Sequence, residues 1–494
     1  MVINKAAIQI IAVVILAAVL RFYQLGYSPP SLYWEEAALG YDAYSILKTG
    51  KDFHGNPWPL TAFESFGDWK PSLYFYTTVP SVAIFGLTPL AVRFPSALFG
   101  TLTVLLVYFL VKDKRVGLAA AALLAISPWH LQLSRAGFEA NLGLFLVVLG
   151  WFWSPALALS MYAYHANRLL APLLFLVLAA SGRIKKVWLN SFVFLVLALP
   201  LVLQFNSPVI RQRFSETSAL SSLTPIIRSN ELIAVDGNTW WAKLLHHRYW
   251  HYKDIIVDHY LDHFNFNFLF LTGDANPRHS IQVVGGLFLI QLPLILFGLR
   301  RHWPLLTWLL LAPIPAALTV ATPHALRSLA MLIPLTIFSA YGLMKLPKKY
   351  LALISFILAF EFSRYLVSYY KTYPKIYSSQ WQYGYAQMLG VVKERQDQYQ
   401  QIFITRELGR PSMYYWFYMQ TDPRQVQAVN DQVKKDQGEY LEFGKITFGV
   451  APQPWPQNSL VVLGPGEPFD SAQGKLIEEI YDLSGKLAFR IYET

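Results

Sequence analysis

The sequence predicts a mainly α-helical protein that crosses a membrane many times and carries a small α/β domain outside it. Three observations carry that prediction. Of 494 residues, 54% are hydrophobic and only 14% charged, whereas a soluble surface asks for about a quarter charged. Apolar runs recur through residues 1–370, with Lys and Arg gathered in clusters between them, the arrangement that sets membrane orientation. From residue 371 the chain turns polar, with short alternating pieces of strand period.

The formal charge of +11 does not signal nucleic acid, because its cations are spread among the apolar runs instead of forming one basic face. The chain has no cysteine, so disulfides, thiolate metal sites and cysteine nucleophiles are excluded.

The first apolar run, 6–20 between Lys5 and Arg21, suits a first crossing or a cleaved signal peptide. Basic stretches follow at VKDKRVG (111–117), GRIKKVW (182–188), GLRRHW (298–303) and MKLPKKY (344–350). Placed in the cytoplasm, they leave 31–89, 128–140, 206–280, 321–327 and the chain beyond 371 outside. The N-terminus is then cytoplasmic and the C-terminal domain extracytoplasmic. Residues 141–182 must cross an odd number of times. One helix of that length would reach about 60 Å, twice a hydrocarbon core of about 30 Å. Three short crossings are therefore expected, turning at Trp153-Ser154-Pro155 and at YHANR (164–168). The count comes to about eleven transmembrane helices. Residues 71–88 are read as an interfacial helix, since one more crossing would invert every later basic cluster.

The chain thus divides into a membrane domain, 1–370, with outer loops 31–89 and 206–280, and an extracytoplasmic α/β domain, 371–494. In the latter, QIFIT, SLVVLG and KLIEEIYDLSGKLAFRIYE read as strands, and the aromatic MYYWFYMQ (413–420) as core.

Nearly all acids and histidines fall in the outer stretches. SLYWEEAALGYDAYSI (31–46) sets Glu35 and Glu36 side by side just past the first apolar run, where an unpaired charge is costly and usually functional. The plainer reading is two solvated acids. FESFGDWKPSLYF (63–75) adds Glu64 and Asp68, oxygen ligands for a hard divalent cation, and Lys70, a point charge for phosphate. In SPWHLQLSRAGFEANLG (127–143), Glu139 stands four residues after Arg135, a spacing that by itself means a helix-surface ion pair. HHRYWHYKDIIVDHYLDHF (246–264) puts His259 and His263 on one helix face, able to ligate zinc with Asp258 or Asp262, with packing as the plainer alternative. Arg278 with His279 in GDANPRHS (273–280), and His324 with Arg327, join Lys70, Arg93 and Arg135 as cations that could line a pocket for an anionic group.

The acidic pair, then GDWKPSLYFY, AVRFPSALFG and SPWHLQLSRAGFEAN, resembles the multi-spanning lipid-linked glycosyltransferases of the C-type fold, in the branch of protein O-mannosyltransferases and bacterial aminoarabinose transferases. The resemblance covers residues 1–370, and the first 140 carry most of it. It implies transfer of a sugar, with inversion, from a polyprenyl-phosphate donor to an acceptor on the outer face of the bilayer, the acceptor being lipid, glycan or protein. It carries the base onto Glu35, the donor-phosphate contact onto Lys70 of Lys70-Pro71-Ser72, and an acceptor- or cation-binding acid onto Glu139. The residue pattern adds Glu36 to the catalytic pair, Arg93, Arg278 and Arg327 to the phosphate contacts, and Asp68 and Arg135 to the acceptor or cation site. The candidate ligands for a divalent metal are Glu64, Asp68, His259 and His263. The sequence departs from the family where Glu35 replaces an aspartate, where Ser72 replaces a proline, and in the short crossings of 141–182.

A transporter of lipid-linked sugars is the alternative. It would also want a cationic cavity, but with ionisable groups at the bilayer midplane and with paired repeats or broken helices. Here those groups collect on the outer side, which favours the enzyme. A scaffold binding a partner through its outer domain is the third reading.

Overall fold

The computed structural model describes residues 5–204, 217–299, 302–468 and 473–494. Of the sequence features above, Arg300 and Arg301 of the third basic cluster and the start of the 206–280 loop lie outside the described residues. The chain is mostly helical and divides into two compact units, one of Met1–Leu20, Phe99–Leu133 and Glu139–Tyr365, the other of Arg21–Leu98, Ser134–Phe138 and Leu366–Thr494.

Among the described residues, three helical stretches are long and apolar enough to cross a membrane: α1 (Lys5–Phe22), α4 (Pro89–Leu110) and the run Lys348–Trp381. A fourth candidate is the pair α5 (Lys114–Ile126) and α6 (Pro128–Ser134), bent by 59°. The other apolar helices have 10–17 residues. The expected turns in 141–182 are present as breaks between α7 (Glu139–Gly150), α8 (Pro155–Ser160) and α9 (Asn167–Ala180). However, α8 has 6 residues, about 9 Å of helix, which is too short for the middle one of three crossings. Residues expected to lie at the interface form α3 (Leu73–Phe85), 13 residues long.

In the first unit, the helices Gln291–Gly298 and Leu332–Lys345 touch backbone to backbone. A Cβ on Gly298 would fall 1.8 Å from the Phe338 carbonyl oxygen, and one on Gly342 would fall 1.9 Å from that of Leu294. This is the close approach that small residues permit between membrane helices.

The second unit holds α2 (Trp34–Thr49), the two-stranded hairpin β1 (Ala62–Ser65) and β2 (Asp68–Pro71), and the sheet near the C-terminus. The strands expected from QIFIT, SLVVLG and the last segment are β3 (Gln401–Ile404), β8 (Ser459–Leu463), β9 (Lys475–Tyr481) and β10 (Leu487–Glu493). With β6 (Glu442–Phe443) and β7 (Ile446–Phe448) they form a six-stranded sheet, ordered β6-β7-β3-β8-β10-β9. β3 runs parallel to β7 and β8, and β10 runs antiparallel to β8 and β9. Every residue of the central β8 is buried, while β9 at the edge is mostly exposed; this follows from an unbroken apolar run in one and interspersed charge in the other. A separate small hairpin pairs β4 (Lys435–Asp436) with β5 (Glu439–Tyr440).

The aromatic stretch folds as the helix Pro411–Met419 and packs on α2, the core role expected of it. Trp416 stacks on Tyr41 at 5.7 Å, and the Tyr414 hydroxyl donates to the Leu32 carbonyl at 3.0 Å. The Tyr41 hydroxyl also donates to the Thr421 carbonyl at 3.0 Å. The segment that presents the acidic pair is thereby fixed by residues nearly four hundred positions later.

Candidate functional site

Glu36 enters α2 in its first turn, and its side chain turns back to accept from the Tyr33 amide at 3.4 Å, as the acid of a capping box does. Its carboxylate is full. Oε1 accepts from Arg93 Nε at 2.8 Å and from the Gly137 amide at 2.7 Å, and Oε2 accepts from Arg93 Nη2 at 3.0 Å. Both side chains are 0% exposed. Arg93 spends its other donors on the carbonyls of Leu25 (3.2 Å), Pro29 (2.8 Å) and Ser31 (2.5 Å). A guanidinium has five N–H donors, and all five end on the chain itself. The sequence placed Arg93 among the donor-phosphate contacts and Glu36 in the catalytic pair. Buried and fully bonded, they instead clip the start of α2 to the segment before it and to residue 137.

Glu35, the next residue, points elsewhere. Its Oε2 lies 2.6 Å from Lys70 Nζ, with the side chains 27% and 14% exposed. Unlike Glu36 and Arg93, this pair is partly exposed. Lys70 sits on β2 opposite Phe63 of β1, so the hairpin delivers it to the N-terminus of α2.

The same pairing separates two predicted metal ligands. Glu64 lies opposite Trp69, and Ser65 opposite Asp68. Side chains alternate between faces along a strand and directly opposed residues share one, so Glu64 and Asp68 stand on opposite faces and do not converge on one ion. Glu64 faces a different environment, where burial pushes its carboxyl up and the Lys435 ammonium opposes that rise. Asp68 Oδ1 accepts from the Trp69 amide at 2.8 Å.

Arg135 and Glu139 do not share a helix, since α6 ends at Ser134 and α7 begins at Glu139. Arg135 is a second buried clip. Its guanidinium donates to the Tyr369 hydroxyl at 3.0 Å and to the carbonyls of Arg21 (3.2 Å), Tyr23 (2.7 Å) and Ser28 (3.0 Å).

In the other unit, the predicted zinc pair fails for a chemical reason. His263 Nδ1 donates to the His259 carbonyl at 2.8 Å, and its Nε2 accepts from the His324 amide at 3.2 Å. With both ring nitrogens engaged, His263 has no lone pair for a metal. Among the described residues, the cluster that could hold one is Asp274, His279 and His324, whose ligand atoms lie within 4.8 Å of one another. Asp274 Oδ2 accepts from His279 Nδ1 at 2.9 Å and from the Ala325 amide at 2.7 Å. Burial alone would raise its carboxyl, but the His279 hydrogen bond and the neighbouring imidazoles hold it below the usual carboxylate range. This carboxylate fits the role of orienting His279, whose lone pair then lies on Nε2, as in carboxylate–histidine–metal arrangements. Burial and the adjacent His279 and Arg327 keep His324 well below the ordinary imidazole value, hence neutral, as a ligand must be. Arg327 Nη1 donates to Thr319 at 2.7 Å, and Arg278 lies near Asn276 at 3.5 Å; both are half-buried.

The sequence reading passed over Asp274. A usable signal was present in Asp274-Ala275-Asn276-Pro277-Arg278-His279. Asp274 Oδ1 accepts from the Asn276 amide at 2.8 Å, and Asn276 Oδ1 accepts from the Arg278 amide at 3.0 Å. Two successive Asx turns of this kind curl the chain so that His279 returns to Asp274.

Residues 69–160 match the protein family described as dolichyl-phosphate-mannose-protein mannosyltransferase. Among solved structures the chain is similar to ArnT from Cupriavidus metallidurans. For its apo state the identity is 11% and the TM-score 0.56, over 99% of this chain and 98% of that one. For ArnT bound to undecaprenyl phosphate the identity is 11% and the TM-score 0.53, over 98% and 97%. The archaeal oligosaccharyltransferase AglB from Archaeoglobus fulgidus, in complex with an inhibitory peptide and a dolichol-phosphate, aligns at 16% identity and a TM-score of 0.44, over 79% and 58%. Comparison with curated protein sequences finds no match. The likeness to ArnT is one of fold, extending over essentially the whole chain.

Proposed function

We propose that the chain is a membrane glycosyltransferase that moves a sugar from a polyprenyl-phosphate donor to an acceptor hydroxyl at the outer face of the membrane, inverting the anomeric carbon. The observation that carries this reading is the Glu35–Lys70 pair. Of two adjacent acids, one is consumed by Arg93, and the other is left accessible beside an ammonium 2.6 Å away. The fold shared with ArnT, whose structure holds undecaprenyl phosphate, and a family match that includes Lys70 agree with a lipid-phosphate donor.

In this mechanism the acceptor oxygen attacks the anomeric carbon, and the bond from that carbon to the phosphate oxygen breaks. The hydroxyl proton goes to Glu35, and polyprenyl phosphate leaves against Lys70. Fixed positive charge beside the leaving group supplies the larger share of the rate; base catalysis contributes about 10² to 10⁴-fold. Asp68, in the same unit as Glu35 and Lys70, is proposed as a polar contact for acceptor or cation, and the acceptor as lipid, glycan or protein. A divalent cation, where one is used, belongs at Asp274, His279 and His324.

The membrane arrangement that goes with this function has several helices crossing the bilayer, α3 at the outer interface, the N-terminus in the cytoplasm and the sheet domain outside. Residues 1–370 form the membrane domain and 371–494 the outer one.

The test is purified protein with radiolabelled polyprenyl-phosphate sugars, native against Glu35→Gln. Cleavage of one donor by the native chain, reduced at least about 100-fold in the variant, is expected. Donor bound and uncleaved by the native chain, with acceptors of all three classes supplied, would refute the transferase and favour a transporter.

A further inference from the structure

The hairpin that carries Lys70 is supported at its tip. β1 and β2 are joined by Phe66-Gly67, with φ values of 55° and 75°, both positive as a tight primed turn requires. The β4–β5 hairpin has the same build and turns at Gln437-Gly438, with φ values of 49° and 76°. The two tips meet. A Cβ on Gly438 would lie 2.5 Å from the Gly67 nitrogen and from the Cα and carbonyl carbon of Phe66, so no side chain fits there. Arg410 spans the joint, with its guanidinium 4.9 Å from the Phe66 ring centre while Nη1 donates to the Gln437 carbonyl at 3.0 Å.

The supporting hairpin is itself anchored beside the sheet. Arg406, two residues past β3, pairs with Asp436 at 2.7 Å, and the amide of Ser412, in the helix Pro411–Met419, donates to Glu439 at 2.9 Å. A connected set of contacts therefore runs from the sheet to the turn three residues before Lys70. With four residues per strand, β1–β2 is too short to hold itself in water; Phe63, buried and stacked on Phe75 at 4.3 Å, anchors its open end, and the contact with Gly438 holds its tip.

We propose that the hairpin Lys435–Tyr440, through Gly438 and with Arg410, is the positioning element for Lys70, which gives the C-terminal domain a part in the reaction. This rests on the function proposed above for Lys70. Misplacement of a catalytic group by about 1 Å costs roughly 100-fold in rate, so a small shift of the hairpin is enough to matter.

The experiment compares native protein, Gly438→Ala and Arg410→Ala, the last keeping the inference testable where the glycine variant fails to fold. Reductive methylation of Lys70, read by mass spectrometry against the remote Lys486, reports how firmly the ammonium is held, whatever the enzyme does. Donor cleavage is measured in parallel. Expected are faster Lys70 labelling in both folded variants, unchanged Lys486 labelling, and a fall in kcat of roughly tenfold or more with little change in KM. Lys70 labelling equal to native in folded Arg410→Ala would overturn the inference. Faster labelling in a protein whose native form cleaves no donor would uphold the positioning and sink the proposed function instead.

Discussion

Replacing Arg93 by Met should unfold the acid-pair region before it weakens donor binding. The substitution keeps an apolar stem but removes five donors, two on Glu36 and three on the carbonyls of Leu25, Pro29 and Ser31. Glu36 would keep only the amides of Gly137 and Tyr33, a buried carboxylate without its counter-ion. Breaking a buried pair from one side costs about 3–5 kcal/mol, and each stranded carbonyl adds up to about 1 kcal/mol or more. At about 2–4 °C per kcal/mol for a unit of this size, the unfolding temperature should drop by roughly 10 °C or more. Circular dichroism in detergent, together with donor KM on protein kept well below the transition, would measure both effects. The double variant Glu36→Met/Arg93→Met should recover part of the loss, because it removes both charges at once. An Arg93→Met protein as heat-stable as native, with donor KM raised tenfold, would refute the clip and restore Arg93 as a phosphate ligand.

Three further outcomes follow from the geometry. Glu439 is fully buried, with one oxygen bonded to the Ser412 amide and the other without a partner, and burial pushes its carboxyl from 4.5 up to about 7. The folded state therefore holds a proton that the unfolded state has lost, so this group's contribution is complete below the unfolded value and shrinks as pH rises toward 7, by on the order of 3 kcal/mol. Glu439→Gln should flatten that slope in pH-dependent melts, and an equal slope in both proteins would contradict it. Zinc titration by calorimetry should lose its signal in His279→Ala and keep it in His263→Asn; loss in the second would mean that the ring assignments around His263 are wrong. Trp416→Ala should cost about 3–5 kcal/mol in stability, as a fully enclosed aromatic does, and a change below about 1 kcal/mol would show that the helix Pro411–Met419 is not the support of α2.

Local pattern told most where the determinant is local. The strands at 401, 459, 475 and 487 were readable because alternation and turn residues lie within a few positions of one another, and the breaks around Trp153 and His165 because small and polar residues interrupt an apolar run. Glu35 and Lys70 were singled out by charge at an apolar boundary, and the structure brings those two together. What did not show was how charges divide among partners. Arg93 and Lys70 look alike in a sequence as cations in or just after the first outer stretch, yet one is entirely engaged by Glu36 and three carbonyls and the other is not buried. That distinction depends on a carboxylate 57 residues away and carbonyls 62 to 68 residues away, which no periodicity encodes. The separation of Arg135 from Glu139 escaped similarly, because i, i+4 spacing presumes a helix that ends at Ser134.

The unit bearing Glu35 is drawn from three separated stretches of chain, the last of which begins at Leu366. A ribosome adding about 5–20 residues per second makes residue 98 roughly 13 to 54 s before it reaches 366. Throughout that interval α2 has no Tyr414 or Trp416 to cover it, so its apolar flank waits for late-made residues. A nascent chain in this state calls for a chaperone at the membrane surface, and a product cut short before the sheet would expose the same flank permanently, marking it for proteolysis. The surroundings of the acid pair are thus assembled only after residues 414 and 416 have been made.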